Sequence, residues 1–127
     1  MKTLFLLFLC TATLLAGCKA SPVDPGLEVL PAPIHEIEVR IAESFPPQVF
    51  LYIKGGLSDS CTTFREVKTS RSGETINIEV TVQRPKNQFC AQVYSFFEKN
   101  VALGSDFVSG KTYTVKVNTQ TTTFVFP

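Results

Sequence analysis

From residue 34 onward the chain is written in short stretches whose apolar residues fall at every second position. Ile37, Val39 and Ile41 alternate with Glu36, Glu38 and Arg40, and Val49, Leu51 and Ile53 resume the pattern after Pro46-Pro47. The clearest run is Ile76, Ile78, Val80 and Val82, set against Asn77, Glu79, Thr81 and Gln83. A period of two sends one set of side chains to a buried face and the other to water, which predicts half-buried strands. Gly55-Gly56 predicts a turn, with glycine supplying positive φ, and a weaker strand follows over Thr62 to Thr69. Ser70 to Gly73 and Arg84-Pro85-Lys86-Asn87 predict further turns. Phe89 to Glu98 reads as a strand in which Phe89, Ala91 and Val93 compete with Cys90, Tyr94 and Phe96 for the core. Adjacent Phe96 and Phe97 point to opposite faces, so one of them is a candidate for exposure. A loop from Asn100 to Gly110 leads to Tyr113, Val115 and Val117, and the chain ends in a strand over Thr121 to Phe126. Seven strands and no helix at this spacing predict an all-β antiparallel sandwich or barrel over residues 34–127.

The N-terminus follows a different rule. Lys2 precedes an unbroken apolar run from Leu4 to Leu15. As a helix, that run would extend about 18 Å, short of the roughly 30 Å of a bilayer core. It predicts a signal peptide over residues 1–17 and not a membrane span. Leu15-Ala16-Gly17-Cys18 closes the run and resembles a bacterial lipobox. The resemblance implies that the Cys18 thiol receives a diacylglyceryl group and that the chain is cut between Gly17 and Cys18. The new amino group is then a further site for a fatty acyl chain such as palmitate. Two or three buried chains, at about 0.8 kcal/mol per CH₂, give durable attachment to a bacterial membrane on its extracytoplasmic face. Pro22, Pro25, Pro31 and Pro33 mark residues 18–33 as a spacer, reaching about 45 Å if extended.

Composition supports strands. Valine, isoleucine and threonine make up 30 of the 110 residues after Gly17, whereas leucine and alanine contribute five each. Those 110 residues carry eleven basic and eleven acidic side chains. Such a balance argues against nucleic acid as a partner. Of the four cysteines, Cys10 leaves with the signal and Cys18 is the lipid site. Cys61 and Cys90 remain, and outside the cytoplasm they predict a disulfide.

Candidate chemistry is sparse. His35 is the single histidine, has no evident orienting partner, and stands where the spacer meets the first strand. No GxSxG elbow, phosphate-binding loop, calcium loop or metal-ligand cluster is present, so neither catalysis, a cofactor nor a metal is expected. Loops at the end of a sandwich often carry recognition. Gly55, Gly56 and Asp59 in one segment and Asp106 and Phe107 in another are the candidates here, for a protein or glycan partner.

Leu103, Gly110, Lys111, Thr112 and Tyr113 resemble the tyrosine corner of immunoglobulin-like sandwiches, in which the hydroxyl bonds a nearby backbone group. Gly56–Phe64, Ser70–Gly73 with Ile76–Thr81, and Leu103–Val115 with Val117-Asn118 are together similar to uncharacterised secreted or lipid-anchored bacterial domains. That similarity spans Val49 to Phe126 and implies fold and cysteine pair without an activity. Immunoglobulin-like cysteine-protease inhibitors of the chagasin type are similar in size, although their asparagine-proline-threonine loop motif is not found here. A lipid-anchored, non-enzymatic binding or accessory module is the leading expectation, and an envelope protease inhibitor the alternative.

Overall fold

The strictest alternation in the sequence builds the central strand of the structure. The computed structural model describes residues 26–127, so the expected signal peptide, Gly17, Cys18 and the first part of the expected spacer lie outside the described residues. Eight strands run in chain order: β1 Leu27–Pro31, β2 Ile34–Ala42, β3 Gln48–Leu57, β4 Thr63–Ser72, β5 Thr75–Pro85, β6 Ser95–Gly104, β7 Thr112–Val117 and β8 Gln120–Val125. They form a β-sandwich. One sheet holds β2, β3 and β6 with β3 central, and the other holds β1, β4, β5, β7 and β8.

Register explains how five strands share the second sheet. β4 pairs along nearly all of β5, from Thr63 opposite Gln83 to Ser72 opposite Thr75. The other edge of β5 is divided. β1 takes Thr81 to Pro85 in antiparallel register, and β7 takes Thr75 to Ile78 in parallel register. The expected antiparallel arrangement holds for every strand pair but β5–β7, which is parallel; β7 is short and leaves half of that edge to β1. Asn118 sits at the junction with φ of 49°. Its Nδ2 donates to the carbonyls of Ala32 (2.8 Å) and Val80 (2.9 Å), while its Oδ1 accepts from the Val80 N–H (2.9 Å).

The spacer expectation is corrected at the same place. Prolines exclude a central strand but not an edge one, and Pro31 and Pro85 fall at the ends of the β1–β5 register. The sheet therefore starts at Leu27 and not after Pro33. Two other boundaries move. Residues 89–94, expected to be strand, belong to a loop over 86–94, and β6 extends to Gly104, through residues expected to be loop.

Alternate residues of the facing sheets make the core. Val49, Leu51 and Ile53 of β3 oppose Ile76, Ile78, Val80 and Val82 of β5 and Val115 and Val117 of β7. Tyr113 is buried with them, and its hydroxyl accepts a hydrogen bond from the Val108 N–H at 2.8 Å, as the tyrosine-corner pattern predicts. Phe107 packs edge-on against Tyr113 and Phe124 and closes the core at that end. Cys61 and Cys90 form a disulfide that joins the segment before β4 to the loop before β6.

Candidate binding face

The two expected recognition segments do not meet. β3 and β6 are antiparallel, with Leu57 opposite Ser95 and Val49 opposite Gly104. Asp59 follows β3 at one end of the sandwich, and Asp106 and Phe107 follow β6 at the other, about 25 Å away at 3.3 Å per residue. Gly55 and Gly56 are not in a loop at all: both lie inside β3. The reason is lateral space, not positive φ. A Cβ on Gly55 would collide with the Phe97 ring inside the sandwich, and one on Gly56 with the Tyr94 ring and hydroxyl outside it.

Asp59 is structural too. It is buried, and its Oδ1 accepts from the N–H groups of Cys61 (3.0 Å) and Thr62 (2.9 Å) and from the Thr62 hydroxyl (2.8 Å). Oδ2 meets Arg84 at 3.2 Å. The Thr62 hydroxyl bond, followed by the two backbone bonds and the Arg84 charge, holds this carboxyl below its ordinary range against the opposing cost of desolvation. Asp59 lies near Cys61 and Cys90 in a group with metal-ligand proximity, but the two sulfurs are bonded to each other and offer no thiolate. Phe107 is half-buried, with the Arg71 guanidinium 4.6 Å from its ring centre. Asp106 is exposed and gives its carbonyl to Arg71.

The sequence offers one of Phe96 and Phe97 for exposure; the structure exposes Phe96 and buries Phe97, and the neighbours of Phe96 that the pattern missed lie on the outer face of the three-stranded sheet. The β2–β3 register shifts between Ile34 and Glu36, making His35 the extra residue of a bulge. Bulges re-aim side chains, and this one directs His35 to Tyr94, with Nε2 2.5 Å from the phenolic oxygen. His35, Tyr94 and Phe96 contact one another edge-to-face at centroid distances of 5.3–5.7 Å. Gly56 is opposite Phe96 and provides the bare backbone on which the Tyr94 ring sits. Lys54, two residues along the same face, places its ammonium 4.8 Å from the Phe96 ring centre.

Above the cluster the face becomes charged. Glu36 and Glu98 flank Lys54 from β2 and β6. Tyr52 donates its hydroxyl to Glu98 at 2.8 Å, and that bond, with burial second, raises the Tyr52 pKa. Arg40 stacks 4.5 Å from the Tyr52 ring centre and binds Glu38 at 2.7 Å, a bond that raises the Arg40 pKa further. Tyr94 and Phe96 nevertheless remain about half exposed, at 48 % and 53 %. The surface thus combines accessible ring faces with fixed hydrogen-bonding groups on a rigid sheet, a combination suited to binding.

Residues 51–126 match the family of the ORF11 β-sandwich domain. The chain belongs to that family. Two relatives of this chain come from Herpetosiphon aurantiacus. An uncharacterised 10.2 kDa protein in the HgiCIIM 5′ region is 42 % identical over 85 residues, covering 67 % of this chain and 89 % of that protein. An uncharacterised 10.2 kDa protein in the HgiBIM 5′ region is 44 % identical over 75 residues, covering 59 % of this chain and 90 % of that protein. No solved structure matches the chain. The ORF11 match begins at Leu51, so it takes in Tyr52, Lys54, Gly56, Tyr94, Phe96 and Glu98 but not His35.

Proposed function

We propose that this ORF11 β-sandwich is a non-enzymatic binding or accessory module, attached through Cys18 to the extracytoplasmic face of a bacterial membrane. The outer face of the three-stranded sheet is its contact surface for a protein or glycan. One observation carries the binding part: the half-exposed Tyr94–Phe96–His35 cluster, seated on the bare backbone of Gly56. Exposed rings that are held in place lose little side-chain entropy on contact with a ligand. The lipobox residues Leu15 to Cys18 and the apolar run before them support the attachment. The Cys61–Cys90 bridge suits an oxidising compartment.

The test uses the full chain expressed in bacteria. Intact mass should show lipid on Cys18, and Cys18→Ala should shift the protein from the membrane fraction to the soluble one. A Cys18→Ala chain that stays in the membrane fraction would overturn the attachment. For the face, wild-type protein is photo-crosslinked in intact envelopes and screened against envelope glycans. Phe96→Ser and Tyr94→Ser should remove the principal adduct or glycan signal, while Phe45→Ser on the β2–β3 turn leaves it intact. Equal retention by all three variants would overturn the assignment of this face.

A further inference from the structure

The strand directions assign an orientation to the two ends of the sandwich. β1 enters at Leu27 opposite Pro85, the last residue of β5, so the N-terminal segment leaves from the end that carries residues 58–62 and 86–94. The Lys86 N–H donates to the Gly26 carbonyl at 2.9 Å, fixing that exit beside the 86–94 loop. Only seven residues, Lys19 to Pro25, separate Cys18 from Gly26. At about 3.1 Å per residue the connection reaches roughly 25 Å, little more than half of what a spacer ending at Pro33 would allow.

The same end presents a fully exposed aromatic ring. Phe89 is 100 % exposed, and Val93 nearby is exposed as well. A loop this open would be expected to fold its ring away, but here it is fastened at several points. Cys90 is bridged to Cys61, the Ser60 N–H donates to the Ala91 carbonyl (3.0 Å), and the Ala91 N–H donates to the Ser60 hydroxyl (3.0 Å). Asp59 in turn locks the 58–62 segment and holds Arg84. Charge does not oppose an anionic surface: no acidic residue occurs between Glu79 and Glu98, and Lys86 is exposed. Of the acids toward this end, Glu28 on β1 is opposite Arg84, Glu36 and Glu98 flank Lys54 on the outer face, and Asp24 stands among the connecting residues. An exposed ring beside a lysine, on a braced loop next to a short lipid connection, matches the chemistry of the bilayer interface.

We infer that the 86–94 loop rests on the lipid headgroup layer, with Phe89 inserted among the headgroups and Lys86 beside them. This inference rests on the attachment through Cys18 and adds a second, protein-mediated contact. The domain then stands with its strands rising from the membrane, the 43–47 and 105–111 turns distal, and the outer face of the three-stranded sheet turned sideways.

The chain contains no tryptophan, so Phe89→Trp and Phe45→Trp each create a single reporter at a fully exposed site, one at each end. Each full-length lipidated variant is reconstituted into phosphatidylethanolamine–phosphatidylglycerol vesicles, with intact mass confirming the lipid. Phe89→Trp should emit at shorter wavelength than in detergent-free buffer after delipidation and lose most of its emission to shallow brominated lipids. Phe45→Trp should keep its emission and remain open to aqueous acrylamide. Lys86→Glu in the Phe89→Trp background should weaken the lipid quenching. Lipidated protein in which both reporters respond alike to brominated lipid overturns the loop contact while leaving the attachment standing. A blue shift without lipid quenching would mark a second copy of the chain on the loop and also overturns it. A mass without lipid overturns attachment and orientation together.

Discussion

Adjacent glycines in β3 meet opposite demands. Gly55 faces inward under the Phe97 ring, and Gly56 faces outward under Tyr94. Gly55→Ala therefore overpacks the core and is expected to cost about 1–3 kcal/mol, read as a lower urea midpoint. Gly56→Ala should instead displace the Tyr94 ring, visible as changed aromatic NMR shifts at His35, Tyr94 and Phe96. Asp59 is a residue whose role is set by pH. Its carboxyl is held below the ordinary range, so its contribution is present above that range and is lost as pH falls through the depressed folded value. Thermal scans should show stability declining as pH falls below about 4. Asp59→Asn should lie lower at neutral pH and show a shallower acid decline; an unchanged acid limb would place the dependence on other carboxylates. Thr81 poses the reverse case. Its buried hydroxyl has no hydrogen-bond partner among the described residues, so Thr81→Val should leave thermal stability unchanged or raise it.

At the scale of elements, legibility tracked how much of each strand's environment is local. β5 was readable because its inward set is uniformly aliphatic and buried against one layer, so the period of two survives in the sequence. β1 was hidden by its prolines, which exclude a central strand but are tolerated at the ends of a five-residue edge pairing. The Gly55-Gly56 pair imitated a turn, since nothing local reveals that rings from β6 and the preceding loop need the room. Residues 89–93 alternate like a strand but are held as a loop by a disulfide and by bonds to Ser60, partners 29 to 31 residues away. The candidate binding face was legible only in part: adjacency offers one of Phe96 and Phe97 for exposure but does not say which. Its histidine comes from a bulge, and its tyrosine and phenylalanine come from positions whose facing is settled only by Gly55 and Phe97. Asn118 shows how one residue joins elements. Asn118→Gly keeps the positive φ and removes the three side-chain bonds, and a loss of about 1–3 kcal/mol is expected. Asn118→Ala should lose more, because it adds backbone strain.

For the molecule as a whole, the disulfide ties the two sheets on the side where β4 and β6 leave edges unpaired. Phe64, Phe97 and Lys99 fill the same side, with the Lys99 ammonium 4.3 Å from the Phe64 ring centre. An inward-directed lysine on an edge strand also discourages strand addition by another chain. Replacing both Cys61 and Cys90 by alanine reopens a separation of 29 residues. The expected loss is about 3–4 kcal/mol, measured by urea unfolding at neutral pH. The divided edge of β5 has a mechanical meaning as well. Any tension passed through the residues before Gly26 enters the domain along the axis of β1, from the end where Leu27 faces Pro85. The ladder bonds run perpendicular to that axis, so the pull loads them together, in shear, and does not peel them one by one. With the proposed attachment through Cys18, β1 is thus a grip, and the Asn118 clamp behind it joins that edge to the rest of the sheet.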